Sequence, residues 1–306
     1  MKKNLYYILF IGILMTFLAG CQDEGQLSMD SDEPVTVSYQ VKVGDDLQSR
    51  AIGDGSEMKN LSVMVFDAND DTYVLCKNIT WPLTDGNGLN LTLLRGNYKV
   101  LFWLQSETKP YTINITGDVS VSYGTDGWVG GISDMEKWDA FYAVDILTID
   151  SEAKSKDVIL TRPLGQLNWA AQDGFDTSEH QVVVTLSNVA TTFHPFNEGA
   201  NTQDLAENEI TFTFNGFTEE TLNTDEGTYT YLTCNYLFPA TLTATFDLQK
   251  TDGTSIKTVE QQGAIAKNQR INVLSSIHLE TENNPADDNE GEETTTDDES
   301  NDPVVE

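Results

Sequence analysis

The chain reads as an all-β protein built from two antiparallel β-sandwich domains, and three features of the sequence carry that reading. Apolar or β-branched residues alternate with polar ones again and again, the period of a strand with one buried face. Gly- and Asn-rich groups such as Asp85-Gly86-Asn87-Gly88 and Arg95-Gly96-Asn97 interrupt the runs at short intervals, where residues that tolerate positive φ form turns. No interval carries a convincing amphipathic helix with caps, although Ser133 to Trp138 has room for one turn.

Taken in order, the first strand is Val35-Thr36-Val37-Ser38-Tyr39-Gln40-Val41-Lys42-Val43, an unbroken alternation. Further runs are Leu61 to Phe66, Tyr73 to Ile79, Leu89 to Leu93, Tyr98 to Leu104, Val119 to Tyr123, Phe141 to Ile149 and Val158 to Leu160. A second series comprises Gln166 to Ala170, Gln181 to Leu186, Glu209 to Phe214, Tyr229 to Leu237, Leu242 to Leu248, Ile256 to Glu260 and Arg270 to Leu279. Closely spaced strands joined by tight turns imply antiparallel pairing. The expected division is a signal segment over 1–20, a flexible tether over 21–33, an N-terminal sandwich over 34–160, a C-terminal sandwich over 161–280 and an acidic tail over 281–306. The junction falls near Thr161-Arg162-Pro163.

The N-terminus directs the chain out of the cytoplasm. Lys2 and Lys3 precede an apolar run from Leu5 to Ala19 that ends in small residues, the layout of a secretion signal. The run is too short, and too quickly followed by Gln22-Asp23-Glu24, to favour a membrane span, which needs about 20 apolar residues. Leu18-Ala19-Gly20-Cys21 resembles the lipobox of bacterial lipoproteins, which implies acylation (palmitate among the acyl groups) of Cys21 as the first mature residue. Several acyl chains make such anchoring stable. Gln22-Asp23-Glu24 also resembles the acidic export signal of some Bacteroidota lipoproteins, implying lipid-anchored placement on the outer face of the outer membrane.

Charge narrows the partners. With 17 basic and 49 acidic residues the chain carries a net charge of −32. Nucleic acid and anionic lipid are bound through clustered Lys and Arg, so both are poor partners here. From Thr281 to Glu306 there are 11 acids and no base. Such a segment buries too little apolar surface to offset an ordering cost of about 1–2 kcal/mol per residue, and it is expected to be disordered. Cys76 and Cys234 lie far apart and outside any zinc-like spacing. An oxidising envelope permits a bridge, but each sits in an apolar run where a free thiol packs as a small hydrophobe.

Four strings converge on one family: Tyr98-Lys99-Val100-Leu101-Phe102-Trp103, Asp139-Ala140-Phe141-Tyr142-Ala143-Val144, Leu160-Thr161-Arg162-Pro163-Leu164-Gly165-Gln166-Leu167-Asn168, and Tyr229-Thr230-Tyr231-Leu232 with Tyr236-Leu237. Together they resemble the fimbrillin-like, Mfa-like surface lipoproteins of the Bacteroidota, in a branch whose members have no assigned individual function. The resemblance covers about residues 34–280. It implies transthyretin-like sandwiches and a role as a fimbrial subunit or accessory protein in adhesion, with other fimbrillin-like subunits as partners. It also implies proteolysis after an arginine beyond the first strand, followed by insertion of a strand from another subunit, a form of β-augmentation. Arg50-Ala51, in the polar stretch after Val43, is the matching bond; an ordinary exposed loop is the other reading of it. The acidic tail lacks the alternating apolar residues of a donor strand, which favours an anchor, tip or accessory role over that of the repeating subunit.

No constellation of residues points to catalysis, a metal or a cofactor. His180, His194 and His278 are isolated. Asp67-Ala68-Asn69-Asp70-Asp71 begins like a calcium loop but lacks the glycine and later glutamate, so a β-turn is expected. Glu219-Glu220 reads as solvated loop charge. The chain is therefore not expected to be an enzyme. Trp81, Trp128 and Trp138 could stack on sugars, and Trp128, in Gly124-Thr125-Asp126-Gly127-Trp128-Val129-Gly130-Gly131, is the candidate glycan contact. Trp103 and Trp169 sit in strand runs and are expected in the core. The alternative function is thus a surface lipoprotein that binds a host or dietary glycan, or a protein ligand, beside an outer-membrane uptake system.

Overall fold

The alternating runs become strands in the computed structural model, which describes residues 33–44, 55–83, 88–123, 136–150, 152–172, 178–197, 205–214, 221–276 and 293–297. The first half contains β1 (Val35–Val43), β2 (Met58–Asp67), β3 (Tyr73–Thr80), β4 (Gly88–Leu93), β5 (Gly96–Ser106), β6 (Tyr111–Asn114), β7 (Ser120–Tyr123), β8 (Ala140–Ile149) and β9 (Lys154–Leu160). The second contains β10 (Gly165–Ala171), β11 (His180–Ser187), β12 (Thr192–Phe193), β13 (Ile210–Phe214), β14 (Thr221–Thr224), β15 (Gly227–Leu237), β16 (Ala240–Lys250), β17 (Ser255–Ile265), β18 (Arg270–Ser275) and β19 (Glu293–Asp297). A single 3₁₀ turn at Glu136–Trp138 is the helical element among the described residues.

The two halves repeat one topology. In the first, sheet β4-β1-β9 faces sheet β3-β2-β5-β8; in the second, β15-β10-β18 lies within sheet β14-β15-β10-β18-β19 and accompanies sheet β13-β11-β16-β17. Each half opens with the strand that becomes the centre of its three-strand core unit, and each closes with a strand that returns beside it. The pairing is therefore antiparallel throughout except where those first and last strands meet: β1 with β9 and β10 with β18 are parallel. A tight hairpin joins only antiparallel neighbours, so these two contacts, made at long sequence separation, are invisible to local turn signals.

Between the first pair of sheets lies a core of Val37, Tyr39, Val41, Leu61, Val63, Val65, Leu91, Val100, Phe102, Leu104 and Phe141, all fully buried or nearly so. The alternate residues Met64, Phe66, Leu101 and Trp103 face the other way, where an antiparallel sheet usually meets water, yet they are buried too. They join one apolar cluster with Phe193, Phe238, Trp169 and Phe246 of the second half. Sheet β3-β2-β5-β8 is thus covered on both faces, and β5 reads as the continuous apolar run Val100-Leu101-Phe102-Trp103-Leu104 for that reason. Trp103 and Trp169 are both fully buried.

Gly165 shows how closely the second half is packed. A Cβ there would lie 2.2 Å from Ile265 Cγ1 and 2.6 Å from the carbonyl oxygen of Ala266, so the turn between β17 and β18 rests directly on the glycine. Gly165→Ala is expected to destabilise the chain by about 1–3 kcal/mol through overpacking, seen as a lower urea midpoint at an unchanged slope.

Several sequence expectations change in detail. β6, β12 and β14 are short and carry too little alternation to be read in advance. Glu293–Asp297, inside the tail expected to be disordered, forms β19 antiparallel to β18, a pairing made through the backbone of a Glu-Thr-Thr-Thr-Asp segment. Trp138 is buried against Tyr111 and Tyr123 and presents no open ring for stacking, while Trp81 is partly buried against the first core. The Asp67–Asp71 segment is a turn, in which Asp67 Oδ1 accepts from Asn69 N–H at 2.8 Å and Asp70 Oδ1 from Thr72 N–H at 3.0 Å.

Candidate functional site: the first strand and the inter-domain seam

β1 is held by everything around it. Its backbone pairs with β4 from Val35 to Gln40 and with β9 from Val37 to Val43. Val37, Tyr39 and Val41 point into the core, while Ser38 on the outer face donates to Asn90 Oδ1 at 2.7 Å. Because β1 is a central strand, its loss would leave two unpaired edges and an empty row of core positions. The segment that links β1 to β2 crosses from one sheet to the other, and it includes Arg50 and Ala51, which lie outside the described residues, as do Cys21, Trp128 and His278.

Tyr39 is the one inward residue of β1 with a polar end. Its ring meets Phe102 edge-on at 5.1 Å, and its hydroxyl donates to Asp145 Oδ2 of β8 at 2.8 Å. The other carboxylate oxygen of Asp145 accepts from Lys156 of β9. Burial, reinforced by that hydrogen bond and the carboxylate charge, pushes the Tyr39 hydroxyl far above its ordinary value, so it stays a donor at every physiological pH.

The second feature is the seam between the halves. Arg162, 1% exposed, donates from Nε to Asp139 Oδ1 and from Nη2 to Asp139 Oδ2, both at 2.7 Å. Its guanidinium carbon also lies 5.2 Å from the ring centre of Phe141 and 5.8 Å from that of Tyr236, and Nη1 is 3.5 Å from Asn268 Oδ1. Burial alone would lower the Arg162 pKa, but the charge and hydrogen bonds of Asp139 raise it, so the ion pair stays formed. The fork geometry of guanidinium on carboxylate is what a lysine would not reproduce.

Around that pair the second half reaches back onto the first. β12 pairs with β7, and Phe193 of β12 stacks on Phe238 at 5.7 Å and meets Tyr142 edge-on at 5.0 Å. Phe196 packs edge-on against Phe66 at 5.4 Å, and His194 Nδ1 lies 3.0 Å from Asp118 Oδ2. Lys267, from the β17–β18 turn, donates to the Tyr142 hydroxyl at 2.6 Å and sits 5.0 Å from the Phe193 ring centre. Glu136 of the 3₁₀ turn accepts from the Tyr236 hydroxyl at 3.1 Å, beside the buried thiol of Cys234, whose pKa burial raises. Cys76 and Cys234 are thiols and are not bridged to each other. No cluster of three or more His, Cys, Asp or Glu suited to a metal occurs among the described residues.

The model of a family of unknown function (DUF6562) matches residues 35–277, from the start of β1 to just beyond β18. The chain belongs to that family. Among solved structures it is similar to a "putative adhesin" of Bacteroides thetaiotaomicron VPI-5482, at 15% identity over 83% of this chain and 95% of that one, with a TM-score of 0.54. It also aligns with the fimbrial anchor protein Mfa2 of Porphyromonas gingivalis, at 12% identity over 79% and 90% of the two chains and a TM-score of 0.49. A C-terminally truncated tip fimbrial protein Mfa3 from the same organism aligns at 9% identity over 86% and 99%, with a TM-score of 0.44. No curated protein matches the chain. At such identities the adhesin match establishes the fold alone, an all-β double sandwich. In this DUF6562 member, Asp139, Arg162 and Tyr236 meet at the seam, each from one of the strings that resemble fimbrillin-like proteins.

Proposed function

We propose that the protein is a cell-surface lipoprotein, held in the outer membrane through Cys21 for as long as β1 stays in place, that serves as a fimbrial subunit or an accessory anchor or tip protein in adhesion, assembled by donor-strand exchange after cleavage at Arg50. The observation that carries this reading is the place of β1. It is a central strand, yet it is covalently joined to the remainder only through the segment that holds Arg50. Cutting that segment leaves β1 attached by pairing and packing alone, so a competing strand of better fit can replace it.

The fold shared with the Bacteroides adhesin agrees with a surface role. The tail argues for an accessory rather than a repeating subunit, since Glu293–Asp297 has no apolar residue with which to fill the row vacated by Val37, Tyr39 and Val41. Its partners are then other fimbrillin-like subunits, bound through strand addition.

N-terminal sequencing of protein extracted from the cell surface tests the processing step. Chains that begin at Ala51, accompanied by a lipidated fragment ending at Arg50 that separates only in denaturant, are the expected result. A population that begins solely at Cys21 would remove the cleavage step.

A further inference from the structure

Of the three fully buried residues that β1 sends into the core, two are valines and the middle one is Tyr39. An aliphatic residue would satisfy a purely apolar groove, so the tyrosine calls for a local cause. That cause lies at the open side of the first sandwich, where β8 is the edge of one sheet and β9 the edge of the other. Asp145 of β8 and Lys156 of β9 meet across this gap, and Lys156 also donates to the carbonyl oxygen of Ile146 at 3.3 Å. The Asp145 side chain is 17% exposed, so water satisfies little of it, and the Tyr39 hydroxyl is the donor to its Oδ2. Phe102 completes the recess by fixing the plane of the tyrosine ring.

Resting on the reading that β1 is exchangeable, we infer that Phe102, Asp145 and Lys156 form a specificity pocket of the β1 groove. It admits in place of β1 an extended strand of a partner protein that carries a tyrosine between aliphatic residues two positions to either side. A phenylalanine at that position would fill the apolar part but leave Asp145 Oδ2 without its donor, which is costly for a half-buried carboxylate. A valine would in addition leave the volume beside Phe102 empty. Residues 281–306 contain no tyrosine, so this tail does not carry the matching key. The pocket therefore discriminates among partner strands by chemistry as well as by alternation, and it fixes their register, since a slip of one residue turns the tyrosine out of the core.

The test uses the full chain with a specific protease site introduced between β1 and β2, cut and then offered two labelled peptides. One has the sequence from Glu33 to Gly44 and the other carries Tyr39→Phe. The tyrosine peptide is expected to be retained roughly tenfold or more better, as a hydrogen bond to a charged acceptor implies. Asp145→Ala should abolish the difference, and Asp145→Asn, which keeps the shape and a neutral acceptor, should reduce it to roughly threefold. Equal retention of both peptides by the unaltered chain, or a preference that survives in Asp145→Ala, would overturn the pocket while leaving strand exchange intact. Uptake of neither peptide would overturn strand exchange itself, and the pocket with it.

Discussion

Asp139→Ala is expected to destabilise the protein by about 3–5 kcal/mol, because it takes from the buried Arg162 guanidinium the carboxylate that grips both its Nε and its Nη2. Both donors of the fork lose their acceptor at once, and Arg162 cannot discard its proton to escape. Rings of Phe141 and Tyr236 and the more distant charge of Glu136 lie near the guanidinium but do not reproduce the fork, and Asn268 is at the limit of a hydrogen bond. The loss is read from urea unfolding of the two proteins under identical conditions. Replacing both partners with apolar residues of similar volume should recover much of it, since the penalty comes from a stranded charge more than from a lost attraction. A loss below about 1 kcal/mol would mean that the pair behaves like one at the surface.

Phe193→Ala is expected to cost about 3–5 kcal/mol as well, through the transfer and cavity terms of a deleted core ring. Its consequence differs in kind. Phe193 belongs to the second half but is packed among Trp103, Tyr142 and Phe238 in the cluster that joins the two, so its removal strikes the seam directly and leaves the first inner core untouched. Unfolding of the unaltered chain should proceed as one transition, because the halves share a continuous apolar cluster. In the variant, calorimetry should resolve two transitions, the lower of them shifted most. A single transition displaced to lower temperature would place the weight of the coupling elsewhere, for instance on Arg162 and Asp139.

Much of the architecture is legible in the sequence because a strand with one buried face writes its period directly into the residues. β1 is the clearest instance: its alternation fixes both its extent and its inward row, and the structure places Val37, Tyr39 and Val41 in that row. Strands buried on both faces are read as continuous apolar runs, as for β5. What local pattern does not carry is long-range. The parallel contacts of β1 with β9 and β10 with β18 depend on chain return over many residues, and β19 has no apolar signal at all because it pairs through its backbone. The seam is intermediate. Arg162 and Asp139 stand in two of the strings that carry the resemblance, but no spacing rule links an arginine to a carboxylate 23 residues earlier, and only the fold shows that both are buried. Trp138 illustrates the opposite difficulty: beside a Gly-rich loop it reads as available for stacking, whereas the 3₁₀ turn directs it inward against Tyr111.

Assembly by strand exchange requires that β1 leave its place, and a reversible covalent lock asks that directly. Ser38 and Asn90 are cross-strand partners of β1 and β4 on the outer face, so Ser38→Cys with Asn90→Cys can tie the strand down without entering the core. Recovery of the locked protein in the assembled surface fraction, compared before and after a reducing agent, is the measurement. The predicted result is that oxidised protein reaches the membrane but stays out of the assembled fraction, and that reduction restores its entry. Equal incorporation of the oxidised and reduced forms would contradict strand exchange at β1.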